Sequence, residues 1–233
     1  MSRLIRSTII ALLLAGLLVA CAAPATPVPV VATAIPDIQS NQVTILTEEG
    51  NEAIKATIIG NGDIAVMVHK TRFDTDTTSR WTPLVDILSA NEKLRIVTYT
   101  LRNNGGTVIQ DSRAVFDYLR AEGINRIICI SVGLSQDCAN LRKEPEIIGM
   151  VIFPGDNLIP IEAGFPKLFV TADTEPNGFA GSLQRAYENS AEPKTFKSYA
   201  VSADGPAIFS APDVGPQVLA DITDFINEIV SGQ

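Results

Sequence analysis

The chain has 233 residues, with 26 acidic against 18 basic side chains, a net charge of −8, and a single histidine. The acidic balance argues against a nucleic-acid partner and offers no basic patch for anionic lipid. The lone imidazole, His69, excludes any metal site built on two or three histidines and leaves room for one conventional histidine base.

Residues 1–20 read as a secretion signal. Arg3 and Arg6 give the positive start, and Thr8 to Ala20 form an apolar run that ends in small residues and is short for a membrane span. Directly after it, Leu18-Val19-Ala20-Cys21 resembles the lipobox of bacterial lipoproteins. That resemblance implies that Cys21 is lipidated (palmitate among the acyl groups) and becomes the mature N-terminus. It would anchor the protein to the bacterial cell membrane outside the cytoplasm. An ordinary secreted protein is the other reading of the same residues. Residues 21–41 are then a tether, with Pro24, Pro27, Pro29 and Pro36 among Ala, Thr and Val and only Asp37 charged. Such a stretch cannot form a core. Removal of the signal leaves sixteen basic residues against 26 acidic ones.

Residues 42–233 suit one domain with a substantial core. Val43–Leu46 and Ala53–Ile59 are strand candidates around a Gly50-Asn51 turn, and Ile64–Val68 is an apolar strand that leads into His69-Lys70-Thr71. Trp81 to Leu88 forms a helix face with Pro83 near its first turn. Leu94–Thr98 is a strand. Val108–Glu122 is an amphipathic helix whose apolar face includes Val108, Ala114, Val115, Tyr118 and Leu119, closed by Gly123. Arg126–Ile130 is apolar without alternation, as in a strand covered by helices on both faces. A short helix over Gln136–Lys143, strands at Ile148–Phe153 and Lys167–Thr171, a helix over Ala180–Ser190, a strand at Phe196–Val201 and a helix over Val214–Ile229 complete the chain. Two opening strands followed by repeated strand–helix units predict an α/β fold, a mostly parallel sheet with helices on both faces. Cys129 reads as a buried thiol, with a Cys129–Cys138 disulfide as the alternative outside the cytosol.

Chemistry in such sheets collects past the carboxyl ends of the strands. Ile64 to His69, Trp81 to Leu84, Arg113 to Gly123 before Ile127–Ile130, and Lys167 to Val170 before Ala172 to Pro176 together resemble the α/β-hydrolase family, in its small uncapped esterase-like or dienelactone-hydrolase-like form. The resemblance implies an α/β-hydrolase-like domain with no cap. It also implies a nucleophile, acid, histidine order with the nucleophile in a Gly-x-Ser-x-Gly elbow. The elbow segment reads Ser131-Val132-Gly133-Leu134-Ser135, with Gly133 at the nucleophile position. Glu175 matches the acid, with Asp173 as its alternative, and Asp204-Gly205 stands where the family has His-Gly. The expected protein is therefore a catalytically inactive relative with no cofactor, serving as a binding or structural module. Its partner would be a protein or large ligand at an open pocket, because Pro154 to Pro166 is too short for a helical cap.

Two alternatives stay open. Ser131 or Ser135 could act with His69 as a substitute base in a serine hydrolase, although His69 reads first as a loop-shaping residue. Asp173, Glu175 and Asp204 could gather as a carboxylate site for a divalent cation. Lys70, Arg72 and Arg102 read as surface cations, and Tyr99 and Phe73 as packing residues.

Overall fold

The computed structural model describes residues 40–47, 53–70, 77–100, 102, 108–133, 141–155 and 158–232. The signal segment, Cys21 and all but the last two residues of the tether lie outside them. So do Arg72, Phe73, Ser135, Cys138 and most of the helix expected at Gln136–Lys143. No helix among the described residues is long and apolar enough to cross a membrane.

Eight strands form one sheet: β1 Ser40–Leu46, β2 Ala53–Ile59, β3 Ile64–Lys70, β4 Leu94–Thr100, β5 Ile127–Val132, β6 Ile147–Phe153, β7 Lys167–Thr174 and β8 Lys194–Ser202. Their order is β1-β2-β4-β3-β5-β6-β7-β8. β2 is antiparallel to both β1 and β4, and every other pairing is parallel. The chain steps from β3 outward to β4 and then returns to the other side of β3 as β5. Such a reversal opens a crevice at the carboxyl ends of the two strands. Here those ends carry His69 and Ser131-Val132-Gly133.

The absence of alternation in the strand sequences follows from two cores. Ala65 and Met67 of β3 and Cys129 of β5 face one core, and Val66, Val68, Ile128 and Ile130 face the other. The first core is closed by α2 Val108–Ala121 and α3 Ala180–Asn189, and the second by α1 Thr77–Ser89 and α4 Gly215–Ser231. In α4, Val218, Ile222 and Ile226 are fully buried at helical spacing, and Gly232 ends the helix with φ 75°, its N–H reaching back to Glu228 and Ile229 carbonyls. Cys129 is a free, fully buried thiol.

Two expectations about boundaries change. α1 starts at Thr77, so Pro83 lies inside the helix rather than in its first turn. β3 runs through Lys70, with His69 opposite Tyr99 and Lys70 opposite Thr100, so His69 is a strand residue and not the start of a loop.

The connection from β6 to β7 is closed without a cap. Ile161 inserts into the first core, its N–H bonds to the Ser190 hydroxyl at 2.9 Å, and its carbonyl receives Ala191 N–H at 2.9 Å. Lys167, with no exposed surface, donates through Nζ to the carbonyls of Ala163 at 2.5 Å and Phe165 at 2.6 Å. Burial holds its ammonium below the ordinary lysine range. The two carbonyl dipoles offset that desolvation and fasten the connection at the entry of β7. Lys167→Met keeps the apolar stem and removes both bonds, so a loss of about 1–3 kcal/mol is expected in urea unfolding. An unchanged midpoint would show that the ammonium adds nothing beyond packing.

Candidate active site

β5 is followed directly by a glycine in left-handed backbone. Gly133 has φ 75°, and its N–H donates to the Phe153 carbonyl at the end of β6, 3.0 Å away. Left-handed backbone costs an ordinary residue about 1–2 kcal/mol, and Gly133 adopts it without a Cβ clash. Gly155 backs directly onto this glycine: a Cβ there would lie 2.4 Å from Gly133 Cα and 2.6 Å from Gly133 N. The residue that leaves β5 thus has positive φ and carries neither hydroxyl nor thiol.

Below Gly133, on the α1 and α4 side, three aromatic rings pack together. Trp81 meets Phe153 edge-on at 5.6 Å and Phe209 at 5.8 Å, and Phe153 meets Phe209 edge-on at 5.8 Å. They brace the strand whose carbonyl holds Gly133.

Gly205, with φ 48°, sits so that a Cβ on it would lie 3.6 Å from Val132 Cγ1, which places the Asp204-Gly205 loop against the elbow strand. Ala203 N–H bonds to the Thr174 carbonyl at 3.3 Å and ties that loop to the end of β7. Asp204 is half-buried and begins a 3-10 turn at Gly205–Ser210.

The acid position has structural work. Glu175 is 8% exposed; its Oε1 accepts from Asn177 N–H at 3.0 Å and its Oε2 from Phe179 N–H at 2.6 Å. Both carboxylate oxygens therefore hold the turn that starts α3. Asp173 belongs to β7, is exposed, and accepts a short hydrogen bond from Ser198 of β8. Among the described residues no three His, Cys, Asp or Glu side chains form a group able to hold a metal ion. The three carboxylates considered from the sequence are not gathered.

His69 is buried, with its ring 5.7 Å from that of Tyr99. Its parity along β3 matches that of Ser131 along β5, because Val68 pairs with Ile130 and successive residues alternate faces. Ser131 is 1% exposed, and its hydroxyl donates to the Gly133 carbonyl at 2.7 Å. A hydroxyl has one proton to give, and this one stabilises the turn.

A buried polar cluster lies beside His69 that sequence reasoning missed. Tyr99 Oη and Ser112 Oγ share a hydrogen bond of 3.1 Å. Asp111, with no exposed surface, accepts from Arg102 Nε at 2.6 Å and from Arg102 backbone N–H at 2.8 Å. Arg102 is therefore not the surface cation expected; only 8% of its side chain is exposed. The signal was present in α2, where Asp111 and Ser112 share the helical stripe of Val115 and Leu119. Two polar residues on a core-facing stripe require buried partners.

Comparison with known proteins places this geometry in the α/β-hydrolase fold. An esterase from Pyrococcus furiosus superimposes with a TM-score of 0.63 at 14% identity, covering 82% of this chain and 90% of the esterase. A thermophilic carboxylesterase cloned from a metagenomic library gives 0.60 at 15% identity, over 83% and 89% of the two chains. An alpha-beta serine hydrolase homologue from Coxiella burnetii gives 0.60 at 11% identity, over 78% and 96%. No family model matches the sequence, and no curated protein matches it.

Proposed function

We propose that this α/β-hydrolase-fold chain is a membrane-anchored extracytoplasmic lipoprotein whose domain binds or supports a partner and does not turn over an ester. The observation that carries this reading is the end of β5: Gly133, the residue that matches the nucleophile position in sequence order, sits in left-handed backbone and bears no hydroxyl or thiol. Acyl transfer in this fold needs a nucleophile and a base oriented by an acid. Asp204 stands at the base position, and Glu175 spends both oxygens on backbone amides. The short 154–166 connection supports an open carboxyl edge, suited to a protein or large ligand. The lipid anchor rests on Leu18-Val19-Ala20-Cys21 alone.

The purified protein, treated with a fluorophosphonate probe and a panel of acyl esters, is expected to give neither labelling nor turnover. Stoichiometric labelling abolished by Ser131→Ala or Ser135→Ala would overturn the proposal in favour of a hydrolase using His69. The anchor is tested separately: Cys21→Ser should move the protein from the membrane fraction to the soluble one. Mass spectrometry should find acyl chains on Cys21 of the unmodified sequence.

A further inference from the structure

We infer that the domain stands with the starting ends of its parallel strands toward the membrane and presents the loops after β7 and β8 to water, so that its partner is a water-borne macromolecule and not a lipid. This rests on the reading of Cys21 as the lipid anchor. β1 is antiparallel to β2 and β2 to β4, so β1 runs in the same sense as β3 to β8. Its first residue, Ser40, pairs with Ile59, Ile59 with Ile96, and Ile96 with Val66 near the start of β3. The chain therefore enters β1 from the side of the sheet where the parallel strands begin.

Glu175 and Asp204 follow the strands at the diagonally opposite corner. The row through Val66 continues to Ile128 and Gly149, one step short of the Met150–Lys167 pair, whereas β7 and β8 end at the Thr174–Ser202 pair. That end lies about eight residues further along the strands, roughly 26 Å. β7 is also six strands from β1 in the sheet order, roughly 29 Å across. The two corners are thus about 40 Å apart.

Chain length limits how far the lipid can reach. Ser40 is nineteen residues after Cys21, and a flexible chain of that length has a root-mean-square span of about 25 Å. Turning the far corner to the lipid would draw those residues across roughly 40 Å of domain surface and leave them few conformations. Charge acts in the same sense. Segments 171–179 and 202–214 hold Asp173, Glu175, Asp204 and Asp213 and no lysine or arginine, so an anionic lipid surface repels that corner within a Debye length. At the starting ends of β3 and β4, Asp63 and Glu92 are balanced by Lys93 and Arg95, and β1 carries no charge. A macromolecule arriving from water meets neither obstacle.

The test uses the acylated protein anchored on vesicles of phosphatidylethanolamine and phosphatidylglycerol. Cys138→Ser removes one competing thiol, and Cys129 is fully buried. Biotin is attached at Asn177→Cys, exposed after β7, or at Glu92→Cys, exposed before β4. Streptavidin is expected to capture residue 177 on vesicles as fast as on the unanchored Cys21→Ser form, and residue 92 several-fold more slowly on vesicles than unanchored. Should either variant not fold, carbodiimide labelling of the unsubstituted protein reads the same contrast: on vesicles Asp63 and Glu92 lose labelling and Asp213 keeps it. Equal capture or equal labelling at the two corners would overturn the inference and leave the anchor in place. Absence of an acyl chain on Cys21 is a separate result, which overturns the anchor and the inference with it.

Discussion

Asp111→Ala is expected to lower the unfolding free energy by about 3–5 kcal/mol, because it removes a fully buried carboxylate that meets the Arg102 guanidinium. Asp111 has no exposed surface and holds Arg102 twice, through Nε at 2.6 Å and through the backbone N–H at 2.8 Å. Removing the carboxylate forfeits both bonds and keeps the desolvation cost of the cation. Arg102→Met/Asp111→Leu removes the cation as well and should cost less than Asp111→Ala alone, since an apolar pair of similar volume buries no charge. The backbone bond is not recovered in the double variant, so wild-type stability is not expected. Urea unfolding of the three proteins decides the matter. A double variant as unstable as Asp111→Ala would show that the ion pair is not the source of the loss.

Gly155→Ala should cost roughly 3 kcal/mol or more, at the upper end of what overpacking produces. The added methyl would sit 2.4 Å from Gly133 Cα, 2.6 Å from Gly133 N and 3.2 Å from Val132 carbonyl carbon. All three are backbone atoms, so no rotamer change can relieve the contact; β5 and β6 must part at the elbow, where Gly133 N–H meets the Phe153 carbonyl. Gly164→Ala is the control. No atom lies within 4 Å of its Cβ and its φ is not in the left-handed region. It should leave stability unchanged or raise it by about 0.4–1 kcal/mol through the unfolded chain. Equal melting temperatures for Gly155→Ala and wild type would contradict the close approach of the two turns.

Most of the fold was legible because its signals are local. Continuous apolar runs at Ile64–Val68 and Ile127–Ile130 state that both sides of a strand are covered, and the stripe through Val218, Ile222 and Ile226 states which side of α4 packs. Position within the hydrolase order likewise pointed to Gly133, Glu175 and Asp204; the Asp204-Gly205 loop lies against Val132, and Ala203 N–H meets the Thr174 carbonyl. Their occupations were not legible. Glu175 reads as a catalytic acid by position, but only the folded turn shows its oxygens accepting from Asn177 and Phe179. Ser131 reads as a spare nucleophile, but its hydroxyl serves the Gly133 carbonyl.

The sequence by itself determined the strand and helix order, the single histidine and the lack of a hydroxyl or thiol at residue 133. These are properties of residue type and period, and no packing can alter them. Tertiary structure alone decided which polar groups are buried together. It set Arg102 on Asp111 and abutted Gly155 on Gly133. Those facts depend on which distant segments the sheet order makes neighbours, and a hydrogen bond or a clash exists only once both partners are in place.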